Sequence, residues 1–269
     1  MSLAGIAKET LAIVERSEYR APSGKTVTIP AKAAIEATRL YDPEALERLV
    51  AERTPGTLPT QIEVTDETTA RAARRVPRSV LLNFASAKNP GGGFLGGAKA
   101  QEEDLARCSA LYHCQLTQRA YYDANRGVTS MLYTDHLIYS PDVPFFRDEK
   151  LNLLEEPFLA SVITSPAPNA GEALKRDPDA RPAIKAALTR RAAHVLAVAA
   201  QHQNVILGAW GCGVFRNDPA EVAAVFRALL ERQFRGVFSR VIFAIHDRSG
   251  EKLQAFESAF GQASVLSTR

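Results

Sequence analysis

The residues whose types and spacing could do chemistry lie at positions 89–103, in the stretch NPGGGFLGGAKAQEE. Five glycines fall within seven residues, and Glu102 and Glu103 follow side by side. Glycine lacks a Cβ atom and tolerates positive φ, so main-chain N–H groups in such a segment can face an anion or a sugar. A carboxyl group beside them could exchange a proton with a reacting oxygen. The stretch therefore predicts a cleft for a polar ligand, although the glycines alone would also fit a flexible surface turn.

The paired acids also have a simpler interpretation. Acidic residues in the first turn of a helix complement its dipole, and Glu102 and Glu103 would then need no other role. If they act on a ligand, two different jobs are expected, because adjacent helical residues point about 100° apart. One acid would hold sugar hydroxyls while the other exchanges a proton. The donor needs a raised pKa, whereas a helix N-terminus lowers it, so repulsion from the other carboxylate and from ligand phosphates would have to prevail.

A second glycine-rich segment, LGAWGCGVFRNDP at 207–219, repeats the order of strand, glycine turn and helix start. Gly211 and Gly213 free its backbone to approach a ligand, and the following helix adds further N–H groups. Two such loops can bracket a diphosphate. Phe215 would lie at the tip, where its ring could pack on a sugar or a base, and an ordinary core position is the alternative. Cys212 is not expected to be a nucleophile, because the sequence fixes no base beside it.

Cofactor and metal signatures do not fit this chain. The nicotinamide dinucleotide fingerprint fails because residues 99–103 fill the helix start and no suitably placed acid follows a second strand. The three cysteines, Cys108, Cys114 and Cys212, are an odd number without zinc-like pairs. His113 beside Cys114 supplies too few convergent ligands for a metal. We therefore expect no cofactor, no metal and no disulfide framework.

Length and charge limit the class of protein. A chain of 269 residues with 46% hydrophobic content can form one large domain with a substantial core. The 33 Lys and Arg residues nearly balance 30 Asp and Glu residues, which gives no global argument for DNA binding. No apolar run approaches the length of a membrane span, and charges at Lys8, Glu9, Glu15 and Arg16 interrupt the N-terminus where a secretory signal would be apolar. We expect a cytoplasmic protein with no membrane partner.

Short apolar runs alternate with amphipathic segments along most of the chain. Strands are predicted at 79–85, 131–140, 158–165, 204–210 and 239–247. Helices are predicted at 181–203, 218–234 and 251–260, and an apolar stripe at 105, 108, 111, 112 and 116 predicts one further helix that begins near Gln101. Strands separated by helices of this length favour a three-layer α/β/α fold with a parallel or mixed sheet. Ligands of such sheets bind beyond the carboxyl ends of the strands.

The N-terminal part of the chain has a different pattern. Residues 3–17 and 43–53 look helical, and residues 25–30 could form a short strand between them. We therefore predict an N-terminal helical extension, residues 1–60, packed on a main domain at 61–269.

The combination of motifs resembles a known family. The triplet Gly91, Gly92 and Gly93, then seven residues, then Gln101-Glu102-Glu103, is similar to the signature of poly(ADP-ribose) glycohydrolases, and GAWGCGVF at 208–215 resembles that family's phosphate-binding loop. The resemblance covers about residues 75–250, and the N-terminal extension is also typical of the bacterial type. It implies a macrodomain-like catalytic domain.

The resemblance implies roles for individual residues. Glu103 would be the catalytic acid and base, while Glu102 and Gln101 would hold the ligand and the catalytic geometry. Gly91, Gly92 and Gly93 would form the floor of the cleft, and Asn89 would contact a ribose. The backbone of Gly211, Gly213 and Val214 would bind the diphosphate, and the ring of Phe215 would pack against the terminal ribose.

The function implied is hydrolysis of the ribose–ribose O-glycosidic bonds of poly(ADP-ribose), from chain ends, with ADP-ribose as product and the polymer on ADP-ribosylated proteins as partner. Two alternatives remain at this stage: a macrodomain that binds ADP-ribose without cleaving it, and a hydrolase of mono- or acyl-ADP-ribose. Residues 133–149, which contain aromatic and acidic side chains, could border the adenine, or could be an ordinary strand and loop.

Overall fold

The computed structural model describes residues 1–261 and the backbone of residues 263–266. The strands are β1 (Glu18–Arg20), β2 (Thr26–Thr28), β3 (Arg39–Tyr41), β4 (Thr60–Thr65), β5 (Ser79–Phe84), β6 (Leu137–Arg147), β7 (Leu153–Ser165), β8 (Asn204–Leu207), β9 (Arg240–Ala244) and β10 (Ala263–Leu266). The helices are α1 (Leu3–Arg16), α2 (Ala31–Ala37), α3 (Pro43–Ala51), α4 (Thr69–Arg75), α5 (Gln101–Cys108), α6 (Leu111–Leu116), α7 (Arg119–Arg126), α8 (Ala170–Arg176), α9 (Arg181–Ala199), α10 (Pro219–Glu231) and α11 (Glu251–Phe260).

One mixed sheet forms the centre of the described chain. Its eight strands follow the order β10-β4-β9-β8-β5-β7-β6-β3. The inner neighbours β4 and β9, β9 and β8, β8 and β5, and β5 and β7 are parallel, whereas β10, β6 and β3 pair antiparallel. β1 and β2 form a separate hairpin.

The core lies in two layers, one on each face of the sheet. Successive strand residues point to opposite faces, and in β5 the side chains of Val80 and Leu82 join one cluster while Leu81 joins the other. The first cluster takes its helical members from α3, α9, α10 and α11, and the second takes them from α1, α2, α4, α5 and α6. This arrangement confirms the predicted three-layer α/β/α fold, in which the sheet is covered by helices on both faces.

Several predicted elements coincide with observed ones. The helices predicted at 181–203, 218–234 and 251–260 correspond to α9, α10 and α11, with ends that differ by a few residues or none. The helix α10 begins as expected, because Asp218 accepts a hydrogen bond from the N–H of Ala220 and Pro219 occupies the first turn. Strand β4, which pairs with β9 inside the sheet, was not predicted.

The strand predicted at 131–140 is wrong over its first half, since β6 begins only at Leu137. Two hydrogen bonds from α9 and one left-handed residue accompany this departure from the sheet. The buried Arg191 on α9 donates to the carbonyl of Leu132 at 2.8 Å and to Asp135 at 3.0 Å, and Tyr133 adopts a left-handed φ of 61°. The hydrophobic pattern of residues 131–140 contains no information about an arginine on a distant helix, so it could not predict these contacts.

The prediction of a single helix from Gln101 through position 116 is also wrong, because the helix ends after α5 and a second helix, α6, follows. Ser109 is extended, with φ −149° and ψ −178°, and forms a bridge with Phe145 on β6. Its hydroxyl donates to the carbonyl of Leu105 at 2.7 Å and accepts from the N–H of Leu111 at 3.2 Å. Helix α6 therefore starts in a new direction.

The first 60 residues contain α1, α2, α3 and the first three strands. The helix α1 contacts α5 and the segment before it, and β3 pairs with β6 at the edge of the central sheet. The division of the chain at residue 60 stays a prediction. No helix among the described residues is both long and apolar enough to cross a membrane.

Candidate active site

The two glycine-rich loops leave the sheet side by side. The first follows β5 and the second follows β8, and these strands pair in parallel with Ser79 opposite Asn204. The strand β7 runs parallel to β5 on its other side. Carboxyl ends of neighbouring parallel strands meet at one edge of a sheet, where ligands of open α/β folds bind. This edge brings both predicted loops into one site.

Glu102 is held deep in the wall of this site, with 3% of its surface exposed. Its Oε1 accepts hydrogen bonds from the side-chain amides of Asn83 at 3.1 Å and Gln115 at 2.7 Å, and its Oε2 accepts from the N–H of Ser86 at 2.6 Å. Burial raises the pKa of Glu102 to about 7 against the opposing effect of these three hydrogen bonds, and the charge of Glu103 adds to the rise. The carboxyl is therefore fixed in place and can change charge near neutral pH.

Glu103 faces the first glycine loop instead of the β5 end. Its Oε1 accepts a hydrogen bond from the N–H of Gly93 at 2.9 Å, and 9% of the residue is exposed. Both acids border Gly92: a Cβ atom added there would collide with Glu103 Oε1 and lie 3.2 Å from Glu102 Oε2. The two carboxyl groups thus have different partners but approach one point, and the glycine provides the space for this.

The first loop needs its glycines for backbone conformation as well. Gly91 and Gly92 have φ of 63° and 58°, in the left-handed region that disfavours side chains. A Cβ at Gly91 would also lie only 2.8 Å from the ring of Tyr112. The exposed Asn89 precedes this turn and accepts a hydrogen bond from the N–H of Gly92 through its carbonyl, at 3.0 Å.

Gln101 connects the start of α5 to the sheet. Its Oε1 accepts from the N–H of Phe84 at 2.8 Å, and its amide nitrogen donates to the carbonyl of Leu82 at 2.8 Å and to the hydroxyl of Thr69 at 3.1 Å. These contacts use both amide donors within the protein and tie the start of α5 to β5, while the role of Gln101 in the catalytic geometry stays a prediction. A direct contact of Gln101 with a ligand stays a prediction.

The second loop is anchored at its base and open at its tip. Gly211 has φ 73°, and a Cβ there would lie 2.5 Å from Nδ2 of Asn217, which donates to the carbonyls of Pro168 at 2.8 Å and Gly211 at 3.1 Å. A Cβ at Gly213 would meet nothing within 4 Å, and Val214 is 84% exposed. The backbone at the tip is therefore accessible to a ligand.

Comparison with known proteins identifies the family. Residues 7–148, which include the first loop and both acids, match the family model of the microbial-type PARG catalytic domain, where PARG stands for poly(ADP-ribose) glycohydrolase. This chain belongs to the microbial-type poly(ADP-ribose) glycohydrolases. The prediction made from the glycine triplet and Gln-Glu-Glu is confirmed, and the chain is an enzyme of this class.

Solved glycohydrolase structures extend the match over nearly the whole chain. The structure is similar to poly(ADP-ribose) glycohydrolase from Thermomonospora curvata, with 46% identity, a TM-score of 0.92, and coverage of 96% of this chain and 99% of that one. The Thermomonospora protein bound to the inhibitor ADP-HPD gives a TM-score of 0.90 at the same identity and coverage. The glycohydrolase from Deinococcus radiodurans in complex with ADP-ribose is 47% identical, with a TM-score of 0.82 and coverage of 87% of this chain and 98% of that one. No functionally curated protein matched the sequence.

Sequence reasoning missed two amides at the centre of this glycohydrolase site. Asn83, at the end of β5, and Gln115, on α6, are fully buried and both donate to Glu102. No local pattern distinguishes a single Asn or Gln of this kind from a surface residue. A polar residue near the end of an apolar strand was the one available signal for Asn83.

The structure places Tyr133, for which the sequence predicted no individual role, beside Phe215. The rings of Phe215 and Tyr133 lie 5.8 Å apart between centroids, and Tyr133 belongs to the segment that the sequence suggested near the adenine. The side chain of Asn169 lies 3.5 Å from the Tyr133 hydroxyl. Phe215 is half-buried against the core, so part of its surface remains available in the glycohydrolase cleft.

Other reactive groups in the glycohydrolase are poorly suited to chemistry. Burial raises the pKa of the Cys212 thiol to about 12, which keeps it protonated at neutral pH. Cys108 and Cys114 are also buried and free. Among the described residues, no group of three or more His, Cys, Asp and Glu side chains is arranged to hold a metal ion.

Proposed function

We propose that this protein hydrolyses the ribose–ribose O-glycosidic bonds of poly(ADP-ribose) from chain ends and releases ADP-ribose, with Glu103 as general acid and then general base. The observation that carries the proposal is the approach of two carboxyl groups, Glu102 and Glu103, to the first glycine loop at the carboxyl edge of the sheet. The solved relative that holds ADP-ribose, from Deinococcus radiodurans, supports the choice of ligand.

The proton steps follow from the position of Glu103. With Oε1 held by the N–H of Gly93, we assign proton transfer to Oε2. As the glycosidic bond breaks, protonated Glu103 donates to the departing ribose oxygen, which leaves as a hydroxyl on the shortened polymer. The carboxylate then takes a proton from the water that attacks the anomeric carbon, and this step restores the acid. The products are one ADP-ribose and a polymer shorter by one unit.

In its ionised form, Glu102 would contribute charge instead of proton transfer. Cleavage of a glycosidic bond passes through a cationic, oxocarbenium-like state. A carboxylate held by Asn83, Gln115 and Ser86 is already oriented, so it can stabilise that charge without reorganisation. The two adjacent acids do not straddle the bond as the paired carboxylates of most glycosidases do, so their spacing does not predict the stereochemistry.

The substrate contacts follow the two loops. The cleft floor would be formed by Gly91, Gly92 and Gly93, with Asn89 on a ribose. The open tip of the second loop would bind the diphosphate through the main chain of Gly211, Gly213 and Val214. Phe215 would pack on the terminal ribose, and its ring also contacts that of Tyr133.

A module that only binds ADP-ribose is the main alternative. Both functions would use the two glycine loops, but binding alone does not need a pair of buried acids at the start of α5 that converge on the first loop. The geometry therefore favours the enzyme.

The biological setting is proposed from the sequence and the family. Polymer carried by ADP-ribosylated proteins would be the substrate, and the bond that attaches the polymer to the protein would survive. A cytoplasmic location, the absence of DNA binding and independence from metal or cofactor stay predictions from the sequence.

The test replaces Glu103 with Gln, which keeps the size of the side chain and removes its acidity. Cleavage of poly(ADP-ribose) is followed by gel, and ADP-ribose binding is followed by calorimetry. We expect turnover to fall at least about 100-fold while ADP-ribose binds as in the wild type. Unaltered cleavage would refute the role of Glu103. Release of ADP-ribose from mono-ADP-ribosylated protein in preference to polymer would refute the substrate.

A further inference from the structure

Gln115 makes two hydrogen bonds that join separate parts of the site. Its Oε1 accepts from the N–H of Gly91 at 2.9 Å, and its Nε2 donates to Oε1 of Glu102 at 2.7 Å. The residue has no exposed surface. Because a backbone N–H can only donate, the oxygen end of the amide must face Gly91, and the nitrogen end is then left for the carboxyl group. The orientation of this amide is therefore set by its partners.

The break between α5 and α6 is what brings Gln115 into the site. An α-helix rises 1.5 Å per residue, so an unbroken helix would place position 115 about 20 Å along the axis from Glu102. Instead, the extended residue Ser109 turns the chain, and α6 returns beneath the first glycine loop. Gly91 then lies over α6, where a Cβ atom would meet the ring of Tyr112.

We propose that Gln115 is a positioning residue that fixes the first glycine loop relative to Glu102 and, through the loop, relative to Glu103. This inference rests on the proposed glycosidase function. The link to the proton donor is short: Gln115 holds the N–H of Gly91, and two residues later the N–H of Gly93 holds Glu103. Loss of this amide would leave a buried N–H without an acceptor and would remove one of three donors to Glu102.

Gln115 touches the acid and the loop but lies beneath them, so its loss should change turnover more than substrate affinity. The second loop, which would bind the diphosphate, is anchored by the hydrogen bond from Asn217 to the carbonyl of Pro168. Gln115 takes no part in this anchor. We therefore expect Gln115→Met to lower kcat on the order of 10- to 100-fold, with KM within about threefold of the wild type. Gln115→Glu keeps an acceptor for Gly91 but replaces the donor with a charge beside Glu102, and it should also lower kcat.

The matched control is Cys114→Ala, one position earlier on α6. Cys114 is fully buried, and its thiol lies beside Thr38 and Ser140, which belong to neither glycine loop. This variant removes buried volume from the same helix, so its melting temperature should fall while its kcat stays near the wild-type value. Normal kcat in Gln115→Met, or an equal loss in both variants after correction for folded fraction, would overturn the proposal.

A second measurement does not need turnover. Hydrogen exchange of residues 91–93, followed by mass spectrometry, should be about tenfold faster in Gln115→Met than in Cys114→Ala, since one hydrogen bond of the loop is gone. Equal exchange would overturn the positioning role. If the wild type fails to cleave polymer, the proposed function is wrong, whereas wild-type cleavage with unchanged exchange and kcat in Gln115→Met rejects only the role of Gln115.

Discussion

The N–H of Gly93 donates to Oε1 of Glu103 across 2.9 Å, so the glycine loop and the first turn of α5 fix each other's position. Main-chain donors in a loop can be aimed at a side chain only where neighbouring residues allow close approach. Gly92 provides that room, because its missing Cβ is the space into which both acids extend. The glycine triplet therefore positions the acids, beside the ligand contact proposed for it.

Substitution of Gly92 should disable the site selectively. In Gly92→Ala the new methyl group would collide with Glu103 Oε1, and the φ of 58° adds strain. We expect kcat/KM to fall on the order of 100-fold, the loss that a displacement of about 1 Å can cause. Gly96→Ala is the control in the same loop, since a Cβ at Gly96 meets nothing within 4 Å. Equal activity of the two variants would contradict this account.

The pH dependence of stability should report Glu102. Its pKa is raised from the ordinary 4.5 to about 7 in the folded protein, so the folded state keeps a proton that the unfolded state loses. The free energy of unfolding should therefore fall as pH rises from about 4.5 through 7.

Denaturant unfolding at pH 5 and pH 8 tests this sign. Wild type should lose about 3 kcal/mol more over this interval than Glu102→Gln, at about 1.4 kcal/mol per pKa unit. Glu44→Gln removes a carboxylate that is 91% exposed and should leave the pH dependence of the wild type unchanged. A Glu102→Gln variant with the wild-type slope would show that this carboxyl titrates normally.

Truncation of Phe215 should weaken turnover more than folding. The ring is half-buried and packs on Tyr133, so Phe215→Ala should cost about 2 kcal/mol of stability, while kcat/KM falls at least about tenfold through loss of the ribose contact. Phe158→Ala, on β7, removes another half-buried ring that stacks on Phe145 and should cost similar stability without this loss. A collapsed melting temperature with normal specific activity in Phe215→Ala would refute the substrate role.

Arg107 should connect the N-terminal helix to the catalytic loop. Its guanidinium is fully buried and donates to the carbonyl of Ala98, to that of Leu3 at 3.5 Å and to Asp104 at 3.3 Å. Arg107→Met would leave these acceptors unpaired, and we expect a loss of about 3 kcal/mol in unfolding free energy. The control Arg119→Met removes an arginine that is 86% exposed and should change stability by less than about 0.5 kcal/mol. Similar losses in both variants would argue against a buried anchor.

Local sequence patterns predicted much of the fold, and they failed where contacts with distant residues determine where a helix or strand ends. The α11 boundaries and the start of α10 follow from apolar periodicity and from the cap at Asp218, which are properties of neighbouring residues. The same periodicity continued across Ser109, yet this residue forms a bridge with Phe145 on β6, and the helix ends there. Likewise, Arg191 withdraws Leu132 from a predicted strand. In both cases a contact with another element outweighs the propensity of the segment.

The sequence by itself determined the family: a glycine triplet, a fixed spacing and adjacent acids are local features, and they also predicted the loops that we expect to face the ligand. Only the tertiary structure decided which buried amides orient the acids. Asn83 and Gln115 reach Glu102 from 19 residues before and 13 residues after it, because the end of a parallel strand and a broken helix meet at one edge of the sheet. Such contacts depend on the direction of whole elements, and no spacing along the chain records that direction.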